Sequence, residues 1–118
     1  MKYYSRLIFC FDVIRDWINY IKEKYIDFIE IEELINENDI FYKIFIFNKF
    51  NDNIGAEIFV GESNFAPYEN IYFEVVELIN KDYSFLFSYY DSKDDTKDDI
   101  LFNLEKGLYI ILNYGSVI

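Results

Sequence analysis

Apolar residues recur at spacings of three and four positions after Asp12, a period that predicts an amphipathic helix. Asp12 is the predicted N-cap, because its side-chain oxygen can accept hydrogen bonds from free backbone N–H groups. The helix is expected to continue to about Asn36, where a polar run ends it, with a break near Tyr25–Asp27 as the alternative. The segment before it, Lys2–Phe11, fits either a short strand or the lead-in to this helix. The apolar stripe assigned to the core comprises Ile14, Trp17, Ile18, Ile21, Tyr25 and Phe28.

The middle of the chain has the residue types and turns of an antiparallel sheet. Phe41–Phe50 and Ala56–Val60 flank a polar turn and predict a hairpin. Ile71–Ile79 and Tyr83–Tyr90 are the next two predicted strands. Alternation along the last strand predicts that Tyr83, Phe85, Phe87 and Tyr89 share one face, and that Ser84, Leu86, Ser88 and Tyr90 share the other.

A second helix is predicted near the end of the chain. Thr96 and Asp99 have the spacing of a capping box, and an apolar stripe follows from Leu101 to Leu112. Short connections favour a meander, and one stripe per helix places both helices on one face of the sheet. The predicted fold is a two-layer α+β domain: an antiparallel four-stranded meander packed on an N-terminal and a C-terminal helix. An extra N-terminal strand is the open alternative for the first segment.

The composition narrows the class of protein. One domain spanning 1–118 is expected, since single domains typically have about 100–150 residues. The chain has no histidine and one cysteine, Cys10, which excludes histidine-based catalysis, histidine metal sites and an internal disulfide. Charged residues follow the short apolar run Leu7–Phe11, and no apolar stretch reaches the roughly 18 residues of a membrane span. We therefore expect a soluble, cytoplasmic protein.

Carboxylates are the only abundant groups of a catalytic type, and their spacing does not favour a reaction. Glu74 and Glu77 lie three apart on a predicted strand, which directs their side chains to opposite faces. The acidic run 91–99 lacks the glycine and the terminal glutamate of an EF-hand loop. Cys10 lies between two phenylalanines, where burial makes a thiol unreactive. We therefore expect no enzymatic activity, no cofactor and no bound metal.

The distribution of charge indicates a protein-binding surface. With 22 acidic and 11 basic residues the net charge is −11, which disfavours direct binding of nucleic acid. Acidic residues are concentrated in 27–39 and 91–99. The chain also has 13 Phe, 12 Tyr and one Trp, more rings than a domain of this size can bury. Exposed tyrosine is typical of interfaces. The residues predicted to contact a partner are Glu30, Glu33, Glu37, Asp39, Tyr68, Tyr90, Asp94, Asp95, Asp98 and Asp99, and the acidic ones are expected to be exposed.

Such a surface suits a basic protein partner, since complementary charge speeds and orients association. The leading hypothesis is an immunity protein or antitoxin that occludes the basic active site of a cognate toxin, in the first instance a nuclease. The size, charge and fold class resemble those of bacterial immunity proteins of polymorphic toxin systems, a similarity of class that no residue motif carries. The alternatives are a phage-encoded inhibitor of a host nucleic-acid-binding enzyme, a homodimeric structural or adaptor domain, and a small-molecule binding module. No membrane partner is expected.

Overall fold

Two helices flank five strands in the computed structural model, which describes residues 2–36, 41–62 and 68–113. The elements follow the chain in the order α1 (Lys2–Lys24), β1 (Ile29–Asn36), β2 (Phe41–Asn48), β3 (Ile54–Val60), β4 (Ile71–Ile79), β5 (Asp82–Tyr90) and α2 (Lys97–Asn113). Each strand pairs antiparallel with the next, so the sheet is a meander with β1 and β5 at its edges.

Both helices pack against the same face of the sheet and close a hydrophobic core with it. The buried residues of the helices include Ile14, Trp17, Ile18 and Ile21 of α1, and Ile100, Leu104, Leu108 and Ile111 of α2. The sheet contributes alternate residues of its strands, among them the fully buried Tyr42, Ile58 and Phe73. The predicted fold class, a two-layer α+β arrangement of an antiparallel meander and two helices, is confirmed.

The first helix has different bounds from those predicted. It begins at Lys2, so the segment before Asp12 is helical and is not a strand. It ends at Lys24, beside the alternative break at Tyr25–Asp27 and well before Asn36. Asp12 therefore lies inside α1, where its carboxylate accepts a hydrogen bond from Arg15 over 3.1 Å. The assignment of Asp12 as the N-cap is wrong, because the helical pattern extends through the preceding residues.

The additional strand lies after α1, as β1. The carbonyl of Tyr25 accepts hydrogen bonds from the N–H groups of Phe28 over 2.9 Å and Ile29 over 3.1 Å, which turns the chain out of the helix. Phe28, assigned to the core by its spacing, is 50% exposed in this turn. Ile29 and Ile31 then point towards the helices in register with β2. Ile29 and Ile31, which lie in the stretch predicted to be helical, are therefore inward positions of a strand.

A bulge divides β5 into two halves. Val75 pairs with Phe87 and Val76 pairs with Phe85, so Leu86 is an extra residue in β5. Such a residue reverses which side chains face the core. Phe87 packs on the core, whereas Phe85 faces away from it and is 57% exposed. The predicted grouping of Tyr83, Phe85, Phe87 and Tyr89 on one face is wrong, because strict alternation fails at this bulge.

Gly107 allows α2 to lie close to the sheet. A Cβ at this position would be 2.2 Å from Cε2 of Phe73, far inside contact distance. Phe73 is fully buried and packs edge-on against Trp17 of α1, with ring centroids 6.5 Å apart, so its ring has little room to move. Glycine lowers helix stability by about 1 kcal/mol relative to alanine. In α2 this lower helix stability is the consequence of a glycine that lets the helix pack closely on the sheet.

Gly107→Ala should lower the free energy of unfolding by about 1–3 kcal/mol, because overpacking against Phe73 outweighs the better helix propensity. Urea denaturation followed by circular dichroism measures this change. In a Phe73→Leu background the same substitution should be close to neutral, since the smaller side chain leaves room for the methyl group. An alanine that stabilises the otherwise unaltered protein would contradict the close approach of α2.

Candidate partner-binding face

Neither helix covers the face of the sheet that points away from the core. Cross-strand pairing aligns one residue from each strand into rows on this face. The upper row, nearest Tyr68, consists of Leu34, Lys43, Phe59, Tyr72 and Tyr90. The middle row consists of Glu32, Phe45, Glu57, Glu74 and Ser88, and the lower row of Glu30, Phe47, Gly55, Val76 and Phe85. We call these three rows, together with Tyr68, the open face.

Aromatic rings form a connected layer on the upper part of the open face. Phe59 stacks on Tyr72, with ring centroids 5.4 Å apart. Tyr68 reaches this layer from outside the strands and contacts Tyr72 at 5.2 Å and Tyr90 at 6.4 Å between centroids. Tyr90 remains 39% exposed. The expectation that surplus aromatic rings reach the surface is confirmed, and Phe59, Tyr72 and Tyr90 of this layer lie on paired strands.

Two carboxylates lie side by side at the centre of the open face. Glu57 of β3 is paired directly with Glu74 of β4, and like charges in this position repel each other. The hydroxyl of Tyr72 donates a hydrogen bond to Glu57, and that of Tyr90 donates one to Glu74 over 2.7 Å. Nζ of Lys43 lies 4.0 Å from Oε1 of Glu57. Neutral hydroxyl donors and a single lysine leave this pair with excess negative charge.

The electrostatic state of Glu57 reflects this crowding. Partial burial, followed by the neighbouring charge of Glu74, raises the pKa of Glu57 above its ordinary value, against the opposing effect of Lys43. Glu30 and Glu32 extend the negative charge towards the β1 edge, and Lys43 is the one basic residue in the three rows. A cation brought to this face would relieve the repulsion.

Three of the residues predicted to contact a partner belong to the open face. They are Glu30 in the lower row, Tyr90 in the upper row, and Tyr68. Tyr68 and Tyr90 are in contact, as two anchors of one interface would be. Glu30 lies on the opposite edge strand, four strand spacings of about 4.8 Å each from β5. A partner that contacts all three residues must therefore span the width of the sheet.

Glu33 lies on the other face of β1. Its carboxylate accepts hydrogen bonds from the hydroxyl of Tyr42 and the ammonium group of Lys22, so it joins the sheet to α1. Burial, together with the hydrogen bond to Glu33, raises the pKa of Tyr42. Glu37 and Asp39, also predicted to contact a partner, lie outside the described residues.

The acidic run 91–99 begins with a buried ion pair. Oδ2 of Asp91 lies 3.0 Å from Nη2 of Arg6, and the Asp91 side chain is fully buried. Its Oδ1 accepts hydrogen bonds of 2.8–3.0 Å from the backbone N–H groups of Glu69, Asn70 and Ile71. One carboxylate thus connects the start of α1, the start of β4 and the segment after β5. This carboxylate serves the fold.

The next acids of the run divide between structural and exposed positions. Asp95 accepts hydrogen bonds from the hydroxyl of Tyr89 over 2.7 Å and from the N–H of Ser92 over 3.0 Å. It is half-buried, so the expectation that every predicted contact residue is exposed is wrong for Asp95. Asp94 and Asp98 are exposed, as predicted, and lie near the start of α2.

Asp99 caps α2. The N–H of Thr96 donates to Oδ2 of Asp99 over 2.9 Å, and the N–H of Asp99 donates to Oγ1 of Thr96 over 3.2 Å. The predicted capping box is therefore confirmed. The hydrogen bond from the Thr96 backbone lowers the pKa of Asp99, because it favours the ionised carboxylate. The contribution of this cap is present above the ordinary pKa of aspartate and is lost as the pH falls through the lowered pKa of Asp99.

The other chemically capable groups do not converge. Glu77 faces the helix side, in line with Ile54 and Ser84, whereas Glu74 belongs to the open face, so their predicted separation is confirmed. Burial raises the pKa of the Cys10 thiol to about 12, which keeps it protonated. Within the ranges that the structure describes, no three side chains of His, Cys, Asp or Glu are grouped to hold a metal ion.

Several residues of the open face are missed by reasoning from the sequence. Glu57, Lys43 and Phe47 lie within correctly predicted strands. The alternation along each strand shows which of its residues share a face of the sheet, but not which residues of the neighbouring strands lie beside them. The contact between Glu57 and Glu74 depends on the register of β3 against β4, which the connecting loop does not specify. Only the register of β3 against β4 identifies this pair, and reasoning from the sequence did not predict that register.

Comparison with known proteins identifies no relative: no protein-family model, curated protein or solved structure matches the chain. Neither α1 nor α2, as far as the described residues extend, is both long and apolar enough to cross a membrane. The charge and exposed rings of the open face are the features from which we propose a function.

Asp91→Asn should lower the free energy of unfolding by about 3 kcal/mol or more, because Arg6 would lose its charged partner in a buried site. Chemical denaturation measures the change. Asp94→Asn is the matched control, since it removes the same charge from an exposed position nearby, and it should change the value by less than about 0.5 kcal/mol. Equal, small losses in the two variants would show that the ion pair does not hold these elements together.

Glu57→Gln should raise the melting temperature near neutral pH, because it removes the cost of partly burying this charge and its repulsion with Glu74, while its carbonyl still accepts from Tyr72. A raised pKa means that the folded protein holds this proton more tightly than the unfolded chain. The ionised carboxylate of Glu57 therefore destabilises the folded protein above that pKa, and this destabilisation disappears as the pH falls through it. The rise in melting temperature caused by Glu57→Gln should then vanish at about pH 4. Asp52→Asn, in the exposed β2–β3 turn, should show no such pH-dependent gain. Destabilisation by Glu57→Gln at neutral pH would contradict this account.

Proposed function

We propose that this protein is a small inhibitor that binds a basic protein partner through its open face. In this proposal it is a cytoplasmic immunity protein or antitoxin that covers the cationic active site of a cognate toxin, with a nuclease as the first candidate. The observation that carries the proposal is the placement of Glu57 and Glu74 among exposed rings on a face that neither helix covers, with Lys43 as the one cation that the described residues bring close to this pair.

The side chains of the open face are those that stable interfaces use. Aromatic residues, tyrosine above all, supply contact area with few rotatable bonds and are enriched among interface anchors. Tyr90 also presents a hydroxyl, and Phe85 presents an exposed ring on the same face. Because strands hold these groups before the partner arrives, little conformational entropy is lost on binding.

The charge of the open face favours a cationic protein site over nucleic acid. A nuclease attracts the phosphate backbone with basic side chains, and carboxylates fixed on a sheet present the same sign of charge as phosphates. Attraction between opposite fields raises the rate of association and weakens as salt rises. The same carboxylates repel nucleic acid itself, which supports a protein as the partner.

A second copy of the chain is a poorer occupant of the open face. Two copies placed face to face would each present Glu30, Glu32, Glu57 and Glu74, with Lys43 as the one basic residue of each set of rows. Opposing like charges at an interface cost several kcal/mol. A phage-encoded inhibitor of a host nucleic-acid-binding enzyme would use this face in the same way, and the identity of the bound partner separates it from an immunity protein.

Double charge reversal, Glu57→Lys with Glu74→Lys, should weaken binding to the basic partner about 100-fold or more, because repulsion replaces attraction at the centre of the interface. The partner is captured from a lysate of the native host, identified by mass spectrometry, expressed separately and titrated by calorimetry. The unaltered protein should bind one-to-one, with a dissociation constant that rises between low and physiological salt. Cleavage of nucleic acid by the partner should stop at an equimolar amount.

Asp94→Lys with Asp98→Lys is the matched control, because it makes the same change in net charge away from the open face. It should change the dissociation constant by less than about threefold. Thermal melting verifies that both double variants are folded. Equal losses in the two variants would mean that binding follows net charge alone, and binding that is insensitive to salt and to both variants would refute the electrostatic proposal.

A further inference from the structure

The hydrogen bonds at the start of β1 determine which of its backbone groups point away from the sheet. The N–H of Lys49 donates to the carbonyl of Phe28 over 2.9 Å, and this pair continues by one residue the register that joins Ile29 to Asn48. Hydrogen-bonded and non-bonded pairs alternate along antiparallel strands, so the backbone groups of Ile29 point away from β2. The N–H of Ile29 indeed donates to the carbonyl of Tyr25, over 3.1 Å.

The same alternation leaves a row of free backbone groups on β1. Ile31, Glu33 and Ile35 follow Ile29 at intervals of two, so each directs its N–H and C=O to the side opposite β2. No strand lies on that side, because β1 is an edge of the sheet. In the described part of the chain, no hydrogen bond reaches these outward groups. A row of this kind is a template for pairing with another strand.

The two edges of the sheet differ in how well they can accept a strand. In β5 the extra residue, Leu86, shifts the alternation of the backbone, so its outward groups do not form one regular row. β1 pairs with β2 through eight consecutive residues without a bulge, and it has no proline and no lysine. Bulges, prolines and lysines are common means of preventing pairing at an edge. β1 is therefore the better template.

The side chains of β1 indicate what kind of strand would fit beside it. Glu30 and Glu32 lie on the open face, whereas Ile31 and Ile35 lie on the helix side, where Ile35 is 43% exposed. Glu33, also on the helix side, is already engaged by hydrogen bonds from α1 and β2. Directly opposed residues of antiparallel strands share a face. The matching strand therefore has basic side chains on one face and apolar side chains on the other.

We infer that the free edge of β1 accepts an extended segment of the basic partner as an additional antiparallel strand, in which basic residues alternate with apolar ones. The inference rests on the proposed function, because this segment belongs to the partner proposed there. The apolar residues of the segment exchange backbone hydrogen bonds with Ile31, Glu33 and Ile35, and its basic residues face Glu30 and Glu32. Main-chain hydrogen bonds supply affinity in such strand addition, and the alternate side chains supply specificity.

The charge of β1 selects against a second copy of this chain as the added strand. β1 contains three glutamates and no basic residue. Two such strands side by side would bring like charges together, which destabilises cross-strand pairs. The same glutamates form favourable pairs with a basic segment, so they discriminate between the two occupants.

A blocked heptapeptide of alternating lysine and valine, with lysine at both ends, tests the inference by NMR titration into the isotope-labelled full chain. At saturation, hydrogen exchange should slow at the amides of Ile31, Glu33 and Ile35. The amides of Glu32 and Leu34 already bond to β2 and should exchange at an unchanged rate. A glutamate–valine heptapeptide of the same pattern should bind about tenfold or more weakly, because like charges then face each other.

Backbone N-methylation of the peptide separates strand addition from attraction between charges. Methylation of the valines removes the N–H groups that face β1 and should weaken binding about tenfold or more. Methylation of the lysines is the matched control, since their N–H groups point away from β1, and it should change the affinity by less than about threefold. Equal binding by the two methylated peptides, unchanged exchange at the three edge amides, or no binding of the unmethylated peptide would overturn the inference.

A variant of β1 separates this inference from the proposed function. Ile35→Pro removes one outward N–H and retains the pairing with β2, because proline is tolerated on an edge strand where its N–H would face solvent. It should weaken binding of the partner protein about tenfold, whereas Ile35→Val, which keeps the N–H, should change it by less than about threefold. Thermal melting verifies that both variants are folded.

The outcomes of this comparison are distinct. If the double reversal at Glu57 and Glu74 weakens partner binding while Ile35→Pro leaves it unchanged, strand addition at β1 is wrong and the proposed function stands. If partner binding responds to neither change, the proposed function fails together with strand addition.

Discussion

Both helices of this protein pack on one face of the five-stranded sheet, and this arrangement determines the rest of the molecule. The covered face supplies the core, with Tyr42, Ile58 and Phe73 fully buried beneath α1 and α2. The side chains of the other face are in contact with water or with a partner. That face carries a connected layer of aromatic rings, which water solvates poorly, and a central carboxylate pair.

The same residue type serves the fold and the candidate surface in different environments. Asp91 is fully buried, but it has Arg6 and three backbone N–H groups as partners, so its charge is compensated within the chain. Glu57 lies against Glu74 with a tyrosine hydroxyl and a lysine at 4.0 Å. The first arrangement stabilises the protein, but the buried carboxylate of Asp91 is not accessible to a partner. The second keeps a destabilising contact that binding would relieve, which is a recurrent property of functional sites.

The sequence predicts the fold well wherever local signals suffice. The bounds of β4, Ile71–Ile79, and the capping box at Thr96 follow from composition and spacing. The turn predicted between β4 and β5 is present with positive φ angles at Asn80 and Lys81, as hairpin turns of this length require. The prediction fails for β1 because Ile29 and Ile31 fit a helical stripe as well as an alternating strand, and only pairing with β2 decides between them.

The candidate site could be predicted only in part, because it depends on register. Tyr68, Tyr90 and Glu30 are identified from residue type and local charge, and all three belong to the open face. The contact between Glu57 and Glu74 joins residues of separate strands and has no local signature. The acids after β5 have one composition but different surroundings, since Asp95 is engaged in a half-buried contact and Asp99 in a helix cap, whereas Asp94 and Asp98 are exposed.

Carbodiimide labelling of carboxylates, read by mass spectrometry with and without the bound partner, locates the surface that the partner covers. Glu57, Glu74 and Glu32 should become protected in the complex, while the exposed Asp94 and Asp98 should react at an unchanged rate. Protection of Asp94 and Asp98 with unchanged labelling of the three glutamates would show that the partner binds elsewhere. The open face would then not be the surface through which this protein acts.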